Sequence, residues 1–210
     1  MTTVDRQNGE ETDFGFQRVP VEEKARRVGE VFSSVAGRYD LMNDLMSAGL
    51  HRFWKSQALR LIDARPGQQV LDLAAGTGDL SQGMARQVGR EGRVIVSDIN
   101  QAMLETGRDR LIDEGYTGNL DYVIANAEQL PFLPRQFDRI SIGFGLRNVT
   151  RIPLALRAMR EALRPGGRLV ILEFSSLYLT ALQPLYDLYS FRMLPLMGKL
   201  VANDADSYRY

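Results

Sequence analysis

Apolar and polar positions alternate between two periods along this chain. From Pro20 to about Leu61 the pattern is helical, with a break near Asn43 to Gly49. Short apolar runs then alternate with helical stretches. "QQVLDLAA" from Gln68 predicts a buried strand, "DLSQGMARQVG" a helix weakened by Gly83, and "GRVIVSD" a second strand. "NQAMLETGRDRLIDEG" predicts a helix capped by Asn100 and stopped by Gly115. "LDYVIAN" and "FDRISIGFGL" predict a third and a fourth strand. "IPLALRAMREALRPGG" predicts a helix with Leu156, Met159 and Leu163 on one face, ended by Pro165, and "GRLVILEFS" a fifth strand. Residues up to about Asp13 carry no such pattern and are expected to be disordered.

Strands alternating with helices imply a parallel sheet covered on both faces. Ligands of such sheets bind at the carboxyl ends of the strands, near the topological switch point. The pattern divides the chain into a flexible stretch at 1–19, a helical cover at 20–62, a ligand-binding α/β domain at 63–175 and an apolar segment at 176–210.

Composition narrows the chemistry. In 210 residues, Lys+Arg and Asp+Glu both count 26, so no charge bias points to nucleic acid. The absence of cysteine excludes disulfides, thiolate metal sites and a cysteine nucleophile, and the single histidine, His51, excludes a multi-histidine metal centre. No metal is expected. The N-terminus lacks the apolar core of a secretory signal. No uncharged run approaches the roughly 18 residues of a membrane span; the nearest, Phe174 to Tyr186, is interrupted by Pro184. A soluble, cytoplasmic protein is expected.

The candidate chemistry sits in "VLDLAAGTGDLS", Val70 to Ser81. A dinucleotide fingerprint needs G-x-G-x-x-G. Gly76 and Gly78 supply two glycines, but Ser81 stands at the third position. Asp72 lies in the strand and Asp79 follows the turn, so an approaching diphosphate meets carboxylates. A ligand carrying a sulfonium and an ammonium does not, and that ligand is S-adenosylmethionine. Asp79 also reads as an acid favoured at a helix N-terminus. Asp98 ends the second strand about 20 residues beyond the turn, where an acid accepts from ribose hydroxyls; capping its own loop is the other reading. At the end of the third strand, an oxygen of Asn126 suits the adenine amino group and the N–H of Ala127 a ring nitrogen. An ordinary strand-end turn has the same appearance.

This order of motifs resembles the Rossmann-like S-adenosylmethionine-dependent methyltransferases. More narrowly, "YDLMNDLMSAGLHRFW" (Tyr39 to Trp54), "FGLRNVT" (Phe144 to Thr150), "LRPGGRLVILEFS" (Leu163 to Ser175) and "VANDADSYRY" (Val201 to Tyr210) resemble the ubiquinone/menaquinone biosynthesis C-methyltransferase family. The resemblance runs from about Phe14 to Tyr210. It implies a doubly wound α/β sheet and methylation of a ring carbon of a polyprenylated benzoquinol or demethylmenaquinol. It places the cofactor on Thr77, Asp98, Asn126 and Ala127, and on Gly143, where the family usually has serine. "LRPGG" carries arginine for the usual lysine, and Glu161-Ala162 replaces the common Arg-Val. The family continues past "DSYRY" with a helix and two strands. Without them Arg168 to Ser175 is expected to be an edge strand prone to pair with another chain.

Ring-carbon methylation requires a stabilised phenolate. Arg147, beside Asn148 at a strand end, suits that role, with a water or a carboxylate taking the proton; a structural ion pair is the alternative reading of Arg147. Tyr39 and Asp40 read as a polar lid or as a turn with a buried tyrosine. His51 reads better as packed beside Trp54 than as a base. Leu177 to Val201, with three charged residues, suits a polyprenyl tail and a membrane surface, or else the core or a dimer interface. The expected setting is therefore peripheral to the cytoplasmic membrane, as a homodimer or in a quinone-biosynthesis complex, without nucleic acid. An O- or N-methyltransferase, or a non-catalytic scaffold of such a complex, remains an alternative. An NAD-dependent oxidoreductase is disfavoured by Ser81 and the acids.

Overall fold

The computed structural model describes residues 11–14, 17–35, 47 and 49–173. Strands β1 (Glu11–Phe14) and β2 (Gln17–Pro20) form an antiparallel hairpin with Glu11 opposite Pro20. Order thus begins before Asp13, because the hairpin packs beside helix α1 (Val21–Val35). Helix α2 (Leu50–Ile62) follows Gly49, whose φ of 77° ends the sequence-predicted break.

The sheet forms from β3 (Gln69–Leu73), β4 (Arg93–Asp98), β5 (Leu120–Ile124), β6 (Phe137–Gly143) and β7 (Leu163–Leu172). Its order is β5-β4-β3-β6-β7, and every pairing is parallel. Between the strands lie α3 (Asp79–Val88), α4 (Gln101–Asp113) and α5 (Ile152–Ala162). The chain winds outward from β3 to β5, then returns to start β6 on the other side of β3. That reversal opens a crevice above the carboxyl ends of β3, β4 and β6.

Alternation in the central strands feeds two cores. Val70, Val94 and Val96 face α2 and α3, where Ile62, Met84 and Val88 are buried. Leu71, Leu73, Ile140 and Ile142 face α5 through Ala155 and Met159. Gly83, which weakens α3 on propensity alone, is where α3 meets α2: a Cβ there would lie 2.3 Å from Leu59 Cδ1. Asn100 caps α4 by accepting the Met103 N–H at 3.1 Å. Gly115 ends it with φ 89°, and the Tyr116 N–H reaches back to the Leu111 carbonyl at 2.8 Å.

The α5–β7 junction differs from expectation. The helix ends at Ala162, so Leu163 belongs to β7 and Pro165 lies within that strand. The buried face is Ala155, Met159 and Ala162, which leaves Leu156 exposed. Pro165 and the two glycines after it are accommodated by a register shift between Phe137 and Arg139, with Gly166 at φ 78°.

Candidate active site

The turn after β3 needs three left-handed residues in five: Ala74 (φ 50°), Gly76 (57°) and Gly78 (86°). Glycine supplies such angles without steric cost. Asp98, at the end of β4, locks the turn. One carboxylate oxygen accepts the Gly76 N–H at 2.9 Å and the other accepts the Asn100 N–H at 2.8 Å. Burial raises its pKa above the ordinary aspartate value, against these amide bonds. The crevice above is lined by Gly76, Asp98, Ile99, Asn100 and Met103 on one side, and by Ala125, Asn126, Ala127, Gly143 and Asn148 on others. The Asp98 carboxylate, which also accepts from the Ile99 N–H, retains acceptor capacity for ribose hydroxyls. Ile99, Met103, Ala125 and Ala127 offer apolar surface to a base. No Lys or Arg is among the described residues lining the crevice, whereas Asp98 and Glu128 are. The lining fits a nucleoside joined to a small cationic group, as S-adenosylmethionine is.

Several sequence-predicted residues lie behind the turn rather than in the crevice. Asp72, expected at the cofactor, is not among the described residues lining the crevice. It is 1% exposed and accepts hydrogen bonds from Ser81 Oγ (2.6 Å) and Ser141 Oγ (2.7 Å), tying β3 to α3 and β6. Burial pushes its pKa up to about 6, despite those hydroxyls. Because the folded state then binds a proton that the unfolded chain has lost, Asp72 opposes folding progressively as pH rises from about 4 to 6. The cost above that window is about 3 kcal/mol. Asp72→Asn is therefore expected to gain melting temperature relative to the parent as pH is raised from 4 to 7. A difference independent of pH in that range would place the charge elsewhere.

Asp79 is likewise engaged, with Lys55 Nζ at 2.6 Å and an Arg110 guanidinium nitrogen at 2.8 Å. Burial pushes its pKa up, but the two cations outweigh this and hold it below the ordinary value. Thr77 is 3% exposed, and its carbonyl accepts from Arg110 at 2.8 Å. A Cβ on Gly78 would meet Leu111 Cδ1 at 2.7 Å, so its role is to let α4 approach. The Asn126 side-chain oxygen, expected to face adenine, accepts the Glu128 N–H at 2.9 Å in a local turn, leaving one lone pair for a ligand.

Sequence reading overlooked Gly107. A Cβ there would lie 2.9 Å from the Gly76 carbonyl oxygen and 3.0 Å from Thr77 Cα, both main-chain atoms of the ligand turn. Gly107→Ala gains about 1 kcal/mol of helix propensity, but backbone overlap costs about 1–3 kcal/mol. The expected net result is a lower melting temperature with weaker cofactor binding. A stabilised variant of unchanged affinity would refute this.

On the other side of the crevice, β6 ends at Gly143, and Phe144 turns the chain at φ 57° into a 3₁₀ turn, Leu146–Asn148. A Cβ on Gly143 would meet Leu80 Cδ1 at 2.8 Å, so Leu80 occupies part of the space a serine would need. Asn148 lines the crevice. Arg147, its neighbour in the turn, is not among the lining residues; it pairs with Glu173, another residue that sequence reading missed, with NH1 2.7 Å from Oε1 and the Arg147 N–H donating to Oε2 at 3.2 Å. The signal was available: Glu173 follows an apolar strand at its carboxyl end. His51 is buried, with Nδ1 2.7 Å from Ser47 Oγ. The Trp54 ring meets Phe144 edge-on, with centroids 6.4 Å apart. Tyr39, Asp40 and the apolar segment 176–210 lie outside the described residues.

An open parallel sheet with this order and a glycine turn locked by an acid on the next strand are the frame of a Rossmann-like S-adenosylmethionine-dependent methyltransferase, the class to which the comparisons assign the chain. Solved structures agree on the fold. A SAM dependent methyltransferase from Aquifex aeolicus superposes with a TM-score of 0.54 at 18% identity, covering 72% of this chain and 78% of that one. The YcgJ protein from Bacillus subtilis gives 0.56 at 19% identity, covering 66% and 56%. Residues 20–210 match the ubiE/COQ5 methyltransferase family, and the chain belongs to that family. Among its relatives, the ubiquinone/menaquinone biosynthesis C-methyltransferase UbiE of Cellvibrio japonicus is 61% identical over 95% of this chain and 80% of its own length. The protein of the same name from Hydrogenovibrio crunogenus is 53% identical over the whole chain and 83% of its own length.

Proposed function

We propose that this chain moves the methyl group of S-adenosylmethionine to a ring carbon of a polyprenylated benzoquinol or demethylmenaquinol in ubiquinone/menaquinone biosynthesis. The observation that carries the reading is family membership at high identity over nearly the whole chain, and the crevice described above is its physical counterpart. Bound S-adenosylmethionine supplies an electrophilic methyl group on a sulfonium. Asp98 holds the ribose hydroxyls, while Asn126 and Ala127 recognise the base edge.

A ring carbon becomes nucleophilic when a neighbouring phenol loses its proton. Arg147, always charged at working pH, stabilises the phenolate oxygen by charge-assisted hydrogen bonds. Asn148, in the crevice lining, orients the ring oxygen. The proton passes to water or to a carboxylate, and Glu173 is the carboxylate bonded to Arg147. Tyr39 is assigned to the cover over the reacting groups. Among the described residues no helix is long and apolar enough to cross a membrane. The apolar stretch Leu177 to Val201 fits peripheral attachment at the membrane where such substrates reside.

Labelled S-adenosylmethionine incubated with a panel of benzoquinols and naphthoquinols tests the reading. The label is expected on a ring carbon, located by fragmentation in a mass spectrometer. Label on an oxygen, or no transfer to any quinol, would overturn it.

A further inference from the structure

Helix α1 lies against the crevice and is bonded to loops on both of its sides. Val28 and Gly29 line the crevice. On the cofactor side, the Asn100 side-chain amide donates to the Gly29 carbonyl at 3.0 Å and to Ser33 Oγ at 2.9 Å. On the substrate side, one turn earlier in α1, Lys24 Nζ donates to the carbonyls of Arg147 at 3.1 Å and Val149 at 3.3 Å. Lys24 is 4% exposed. Lysine is rarely buried to that degree, because the ammonium must exchange water for protein acceptors. These acceptors are main-chain carbonyls in and just after the turn that presents Arg147 and Asn148. The Arg147 N–H is meanwhile held by Glu173. Both polar main-chain groups of Arg147 are therefore fixed by charged side chains, one from α1 and one from the end of β7.

We infer that Lys24 is a positioning residue for methyl transfer: its ammonium fixes the turn that presents Arg147 and couples that turn to the helix covering the cofactor crevice. The inference rests on the role given to Arg147 above. It makes the placement of Arg147 and the seating of α1 one event, since any lifting of α1 removes the donor shared by the two carbonyls. A purely structural role does not need the charge. Lys24→Met leaves the Arg147 and Val149 carbonyls without this donor and should lower the melting temperature, so turnover is compared well below that temperature, where each variant is folded.

The test compares Lys24→Met, Lys24→Arg and Arg147→Ala, singly and with Lys24→Met added to Arg147→Ala, in the full chain. Lys24→Met is expected to lower kcat by roughly 10- to 100-fold, the scale of a small misplacement of a reacting group. The quinol KM should stay within about two-fold, in a variant that remains folded at the assay temperature. Lys24→Arg, which keeps a cationic donor, should recover part of kcat. In the Arg147→Ala background, Lys24→Met should cost no further turnover, because residues acting through one another are not additive.

Unchanged kcat in Lys24→Met would overturn the inference, as would an equal loss with and without Arg147. So would failure of both Lys24→Met and Lys24→Arg to fold, which would make Lys24 structural. Arg147→Ala alone reports on the functional reading. A full effect there with none from Lys24→Met counts against the inference only, whereas unchanged turnover in Arg147→Ala counts against the role of Arg147.

Discussion

Arg147→Ala is expected to lower quinol turnover by roughly 10²–10³-fold, the cost of losing one preorganised donor to a developing oxyanion, while cofactor affinity stays nearly constant. The ion pair with Glu173 could make the loss structural instead, and magnitudes decide between the two. The Arg147 side chain is 45% exposed and that of Glu173 21%. A pair in that setting contributes about 0–1 kcal/mol after solvent screening, too little to unfold a domain. Melting temperature should therefore change little while kcat falls. Arg147→Lys keeps the charge but loses the planar fork, and it should fall between the parent and the alanine variant. An alanine variant with full turnover would move phenolate stabilisation to another group.

The second large effect lies on the cofactor side. Asp98→Ala is expected to weaken S-adenosylmethionine binding by about 2–4 kcal/mol, from two ribose bonds to a charged acceptor at about 1.5–3 kcal/mol each with allowance for non-additivity. The same change strands the Gly76 and Asn100 amides that the carboxylate now accepts. Each buried amide left without a partner costs about 1–3 kcal/mol, so the variant should also melt earlier. Asp98→Asn separates the two losses, because it retains one acceptor oxygen. Calorimetry showing unchanged cofactor affinity in Asp98→Ala would place the ribose elsewhere.

What the sequence revealed was what local chemistry dictates. Gly76, Asp98 and Asn100 are legible because a strand, a glycine turn and a cap all act within a few residues. The surroundings of Asp72 were not legible for a physical reason. An acid at that position can point into the crevice or into the core, and only the third dimension shows Ser81 and Ser141 closing around it. Lys24 and Gly107 were invisible for a related reason. The lysine meets a carbonyl 123 residues away, and the glycine is needed because another loop's backbone passes within 2.9 Å. Pro165 misled because proline usually closes a helix, whereas here a register shift lets it sit inside a strand.

The strand order also governs how the crevice is assembled over time. β3, β4 and β5 come from one continuous stretch, Gln69 to Ile124, joined by single-helix crossovers. The pairing of β3 with β6 joins positions such as Asp72 and Ser141, 69 residues apart. Closing that longer loop costs more chain entropy before any contact repays it. The half that carries Asp98 can therefore zip early, while the half that carries Arg147 docks late.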